Sequence, residues 1–134
     1  MQISVSVTLN EPIEKVWSAY TSPHDIVHWN FASDDWHCPS ASVDLRVGGA
    51  FSSRMAAKDG SSAFDFEGTY TNIVEYELIE YSFGDRSARI EFSTDGDQVK
   101  VEVMFDPEDE NSAELQKAGW QAILDNYALH VSSK

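Results

Sequence analysis

Hydrophobic and polar residues alternate through the first segment of the chain. Ile3, Val5, Val7 and Leu9 are interleaved with Ser4, Ser6 and Thr8, the period-two pattern of a strand with one buried face. Asn10-Glu11-Pro12 ends it. Asn10 suits an N-cap, Pro12 the first helical turn, and Glu11 and Glu14 the positive end of a helix dipole. Ile13, Val16, Trp17 and Tyr20 then recur at helical spacing and predict a short amphipathic helix over 12–20. Ser22-Pro23 opens a second short helix, with Ile26, Val27 and Trp29 turned inward.

Between Asn30 and Ser40 the period is lost. This stretch reads as a loop of roughly ten residues, longer than most connections. It carries Phe31, Trp36, His37 and Cys38. A loop in water has no need of two large aromatics, so it is expected to fold over an apolar space and cover its mouth.

From Ala41 to Asp106 the pattern is that of about six consecutive antiparallel strands, with Asp59-Gly60 and Asp95-Gly96 as hairpin turns. Phe64, Phe66, Gly68 and Tyr70 share one face of one strand; Val99, Val101, Val103 and Phe105 share one face of the last. The turn spacing is that of a meander, not of βαβ units. Gly48-Gly49 predicts a tight turn, and Gly68 a bulge or kink that bends the sheet. The final segment, Ala113 to Val131, reads as a long helix. Leu115, Gly119, Ala122, Ile123, Asn126 and His130 form one stripe, widened by Trp120, Leu124, Tyr127 and Val131. Gly119 inside a helix is costly, and close approach to another backbone would explain it. The order predicts an α+β helix-grip fold: a curved antiparallel sheet wrapped around a long C-terminal helix, with two short helices after the first strand.

Composition bounds the rest. The chain has 134 residues, enough for a single domain over 1–134. Its 9 basic and 23 acidic residues give a formal charge of −14, which repels nucleic acid and anionic lipid surfaces. A hydrophobic fraction of 42% supports a packed core. Seven Phe, five Tyr and four Trp supply more large apolar area than so small a domain usually carries. One cysteine, Cys38, excludes an intramolecular disulfide. The N-terminus has no basic and apolar regions of a secretory signal, and no apolar run approaches the ~20 residues of a membrane span. A soluble, reduced, cytoplasmic protein is the expectation.

Four words in the chain carry a resemblance: Asn10-Glu-Pro-Ile-Glu-Lys-Val-Trp-Ser-Ala-Tyr, Val43-Asp-Leu-Arg-Val-Gly-Gly-Ala-Phe, Phe66-Glu-Gly-Thr-Tyr and Gly119-Trp-Gln-Ala-Ile-Leu-Asp-Asn-Tyr. With the order of elements, they resemble the SRPBCC (START-like, birch-pollen-allergen-like) superfamily. Within it the chain is similar to the activator of Hsp90 ATPase homologue-like family, also labelled polyketide-cyclase-like. The resemblance implies a helix-grip fold with a cavity between sheet and C-terminal helix. It also implies three activities of different kinds: binding of a small hydrophobic or amphipathic molecule, contact with an Hsp90-type chaperone and stimulation of its ATPase, or cyclase and dehydratase chemistry on a polyketide-like substrate. A fold does not choose among them.

The residues favour the first. Trp29, Phe31, Trp36, Phe51, Phe64, Phe66, Tyr70, Tyr81, Trp120 and Tyr127 are the candidate cavity lining. Arg46, Arg54, Arg86 and Arg89 are all the arginines, and one turned inward would orient an acidic ligand group. Arg54, mid-strand between Phe51 and Met55, is the chosen candidate. In such an acidic chain, neutral or weakly polar aromatics are otherwise the expected ligands. Glu67 has opposite parity to Phe64 and Phe66 and is expected in solvent. His24 and His28, with Asp25, His37 or Cys38 nearby, have the spacing of a metal pair but match no ligand signature. No metal, no cofactor and no catalytic residue is assigned. No Ser-His-Asp order, phosphate loop or paired-carboxylate motif stands out.

Overall fold

Alternating apolar residues are sheet residues in this chain, and the one long helical stripe is the helix that covers them. The computed structural model describes residues 2–134. The chain runs β1 (Ile3–Leu9), α1 (Ile13–Thr21), α2 (Pro23–Ile26), β2 (Trp36–Val43), β3 (Ala50–Ala57), β4 (Ala63–Val74), β5 (Leu78–Phe83), β6 (Arg86–Asp95), β7 (Gln98–Phe105) and α3 (Ala113–Ser133). All seven strands form one antiparallel sheet in the order β1-β7-β6-β5-β4-β3-β2. Five of its six neighbour pairs are meander pairs. The sixth brings the first strand beside the last, with Val5 opposite Val103. This is the helix-grip α+β fold, its sheet curled as a half-barrel. No helix among the described residues is long and apolar enough to cross a membrane.

The core lies on the concave face. Val5, Ile79, Ile90, Val99, Val101, Val103 and Phe105 are buried there, each at the parity its strand predicts. Helix α3 packs along β1 and against α1. Trp120 stacks flat on Phe105, with centroids 4.0 Å apart and planes 8° from parallel. Tyr127 is fully buried, and its hydroxyl donates to the Val16 carbonyl at 2.6 Å. Gln121 Nε2 donates to the Ser6 carbonyl at 3.1 Å. The helix starts on Ser112, whose Oγ accepts from the Leu115 N–H. Because α3 lies toward the β1 edge, the concave face of β3, β4 and β5 stays partly uncovered.

Several local expectations are corrected. Asn10 does not cap α1. Pro12 holds the N-cap position in extended backbone without a side-chain bond, and its carbonyl takes the Lys15 and Val16 N–H groups. The segment after α2 is a loop only as far as Asp35. Trp36 to Ser40 is the first half of β2, with Trp36 opposite Ala57. The register slips between His37 and Ser40, so the side-chain period breaks at Pro39 and the strand is hidden from a period-two reading. Gly68 is not bulged. It pairs in register with Phe51, and the slip in β4 falls between Tyr70 and Asn72. A Cβ on Gly68 would collide with the Ser82 carbonyl and lie 2.8 Å from the Phe51 ring. The glycine thus lets an aromatic ring lie on the strand. Gly48 supplies the left-handed turn at φ 85°.

Gly119 is corrected too. It is half-buried, and a Cβ there would meet nothing within 4 Å. No backbone approaches it, so crowding is not its role. Gly119→Ala should therefore raise stability by about 0.5–1 kcal/mol, through helix propensity alone. Urea melts of the two proteins check this: the midpoint rises, whereas a fall would mean that the site is crowded after all.

Candidate functional site: a cavity between sheet and helix

The uncovered part of the concave face encloses a cavity of about 320 Å³. Its floor is Phe51, Ser53 and Met55 of β3, Phe64, Phe66 and Tyr70 of β4, and Ile79 and Tyr81 of β5. Trp120, Ile123 and Leu124 of α3 form the roof; Tyr20, Ile26, Trp29 and Asn30 close one side. The floor aromatics pack as a cluster. Phe51 lies 5.2 Å from Tyr70 and 4.8 Å from Tyr81, ring to ring, and Phe66 bridges Tyr81, Phe83 and Trp120. Trp29 is held by its Nε1–H, which donates to the Ala19 carbonyl at 3.0 Å. These mutual contacts keep the walls apart, so the space is not filled by its own side chains.

The lining residues Phe64 and Asn111 are exposed, so the cavity opens where β4 begins and just before α3 starts. Arg86, Glu108, Asn111 and Gln116 line that end. Gln116 is buried and fastens the rim: its Oε1 accepts from the Glu108 N–H at 2.8 Å, and its Nε2 donates to the Asn111 carbonyl at 2.8 Å. Glu108 Oε1 accepts from the Asn111 N–H at 2.6 Å. Burial pushes the phenols of the interior up. Tyr70 rises to about 12, and Tyr20 and Tyr81 rise as well, each further raised by a neighbouring phenol. All three stay neutral near pH 7 and present O–H groups, not phenolates.

Seven of the eleven residues named from the sequence line this space: Trp29, Phe51, Phe64, Phe66, Tyr70, Tyr81 and Trp120. Four do not. Tyr127 faces the α1 side, where its hydroxyl is spent on Val16. Phe31 contributes its carbonyl, which accepts from Asn126 Nδ2 at 2.7 Å, and not its ring. Trp36 lies against Phe64 at 5.9 Å, beyond the lining. Arg54 points to the convex face and pairs with Asp65 at 3.2 Å. Its parity is opposite to that of Ser53 and Met55, the residues that do face the cavity. The arginine that lines the cavity is Arg86, on the same face of β6 as Ala88, Ile90 and Phe92. The loop expectation shrinks accordingly: of residues 30–40 only Asn30 reaches the cavity. Glu67 is exposed, as its parity requires.

His28 and His130 join α2 to the end of α3. His28 stacks on His130 with centroids 5.4 Å apart, and His130 Nε2 meets Asp25 Oδ1 at 2.9 Å. Lys134 Nζ meets the same oxygen at 2.9 Å. No cluster of three metal-binding side chains occurs among the described residues. Burial alone would raise the Asp25 carboxyl, but hydrogen bonds and charge from His130 and Lys134 outweigh it and hold the group below its usual range. A depressed carboxyl stabilises the fold above its unfolded pKa, about 3.9, and ceases to do so as pH falls through the folded value. Asp25→Asn should cost about 1–2 kcal/mol at neutral pH, since it loosens the junction of α2 with the end of α3. Denaturant melts across pH should show the gap between the two proteins closing below about pH 4; a gap independent of pH would deny the pair its role. Cys38 is buried, and desolvation pushes its thiol up, away from the reactive thiolate.

Comparison with known proteins adds the lineage. A family model described as activator of Hsp90 ATPase homologue 1-like protein matches residues 10–131. The solution structure of an AHSA1-like protein from Aeromonas hydrophila is 40% identical, covers 99% of this chain and 93% of its own, and superposes with a TM-score of 0.93. A solution structure from Cytophaga hutchinsonii is 46% identical over 98% of this chain and 92% of its own, with a TM-score of 0.85. A crystal structure from Chromobacterium violaceum, 24% identical over 97% of this chain and 96% of its own, shares the fold at a TM-score of 0.86. No curated protein matches the chain by sequence.

Proposed function

The chain belongs to the activator of Hsp90 ATPase homologue 1-like family, and from that membership and its cavity we propose that it binds one small hydrophobic or amphipathic molecule between the sheet and α3. The observation that carries this reading is the aromatic-floored cavity itself. About 320 Å³ is at the lower limit of small-molecule sites, which are apolar with a few placed polar groups. Its polar groups favour holding over reacting. The phenols are kept neutral, and the Glu108 carboxylate, the acid in the lining, is engaged by the Asn111 N–H. An apolar ligand entering this space gains about 25 cal/mol per Å² of apolar surface removed from water, less the costs of association.

Trp29 and Trp120 line the cavity and report on it. Tryptophan emission titrated with the neutral probe N-phenyl-1-naphthylamine should quench as the probe brightens. Fatty acids, flavonoids and polyketide-like phenols then compete for the probe. If the probe neither perturbs the tryptophans nor brightens, the ligand reading fails, and contact with a chaperone becomes the reading to test.

A further inference from the structure

We infer that the ligand carries one carboxylate and that Arg86 binds it at the open end of the cavity, with the apolar body lying inward on the aromatic floor. This rests on the ligand reading above and adds the chemical class.

Three of the four arginines are spent on acidic neighbours. Arg46 pairs with Asp44 at 2.9 Å, Arg54 with Asp65 at 3.2 Å, and Arg89 with Glu91 at 2.6 Å and Glu80 at 3.2 Å. With 23 acidic residues in the chain, an acid partner is easy to find. Arg86 has none within ion-pair distance among the described residues, and it is the arginine that lines the cavity. It is half-buried. Its guanidinium lies over the Phe83 ring, 4.5 Å from the centroid, and Nη1 donates to the Asp106 carbonyl in a long bond of 3.4 Å. The hairpin fixes its root, because Arg86 opens β6 directly across from Phe83.

The nearby acids are occupied elsewhere. Asp106 Oδ2 accepts from the Ser87 N–H at 2.9 Å and Oγ at 3.0 Å, and Gln2 Nε2 donates to Oδ1 at 3.3 Å. Glu108 turns to the Asn111 N–H. A guanidinium has five N–H donors in a rigid fork, and Arg86 commits one. The rest make no bond within the protein and, since no buried side-chain nitrogen lacks a partner among the described residues, they remain accessible to a ligand. A carboxylate satisfies two of them at once, with the strength of a charge-assisted bidentate pair. Stacking on Phe83 aims the fork without neutralising it. The negative field of the protein opposes anions in general, so affinity for an acid must come from this one contact. That makes the preference removable by one substitution.

The test is displacement of N-phenyl-1-naphthylamine by dodecanoate and by dodecanol, a pair that differs in head group. Wild-type protein should prefer the acid by about tenfold. Arg86→Gln should abolish that preference, bringing the ratio of acid to alcohol affinity to about one. Arg86→Lys should recover part of it, as a point charge without the fork. Equal binding of acid and alcohol to the wild type, or a preference that survives Arg86→Gln, overturns the inference and leaves the ligand reading standing. Failure of the probe and the alcohol to bind at all removes the ligand reading, and this inference with it.

Discussion

Replacing Trp120 with alanine should lower stability by about 3 kcal/mol and abolish probe binding together. The indole is where core and cavity meet. One face stacks on the fully buried Phe105 at 4.0 Å, and the ring edges reach Phe66 and Phe83 at 6.1 Å. Truncation merges its volume with the cavity and uncovers Phe105. The indole is only partly buried, which places the loss at the low end of the range for aromatic truncations. Leu124, Tyr127 and Val131 still hold α3, so the protein remains folded and the loss is measurable by urea unfolding. Trp120→Phe should retain most of the stability. A cost under about 1 kcal/mol for the alanine variant would mean that α3 is held without this stack.

Filling the cavity from its floor should have the opposite signature. Ser53 is buried, lies mid-strand in β3 between Ala41 and Phe66, and faces the cavity. Ser53→Phe places a ring where a ligand would lie. Probe affinity should fall by more than about tenfold, because the bound molecule and the new side chain compete for one space. Stability should hold or rise by about 0.5–2 kcal/mol, since the ring gains contacts that the empty space denied the walls. Unchanged affinity would put the probe elsewhere on the protein. The outward-facing Leu115 and Leu129 are, with Leu45, Val47 and Val74, the exposed aliphatic residues where that would be seen.

The elements were legible wherever side chains kept their period. The alternations of β1, β4 and β7 and the long stripe of α3 lead from the sequence to a curled sheet and a gripping helix. β2 was lost at Trp36 to Ser40, because the slip near Pro39 exchanges the faces within one strand. The β4 part of the aromatic floor, Phe64, Phe66 and Tyr70, followed from parity. The same parity separates Arg54 from Ser53 and Met55 and places Arg86 with Ala88, Ile90 and Phe92, so the correct arginine was readable and the neighbouring aromatics misled. Gln116 was also within reach, four residues before Trp120 on one helical face. Tyr127 was not. Its exclusion from the cavity depends on a bond to the Val16 carbonyl, 111 residues away. Gly119 sat on a predicted inner stripe that is rotated in the structure, where Gln116 and not Leu115 is buried. A band of apolar residues that wide leaves the helix's rotation undetermined, and only packing against β1 sets it.

The most direct measurement is a methyl NMR titration of the wild-type protein with N-phenyl-1-naphthylamine. Shifts should concentrate on Ile26, Val43, Ile79, Val103, Ile123 and Leu124, the isoleucine, valine and leucine lining of the cavity, with Leu115 and Leu129 unmoved. Shifts confined to those two outward leucines, or none anywhere at saturating probe, would contradict binding in the cavity.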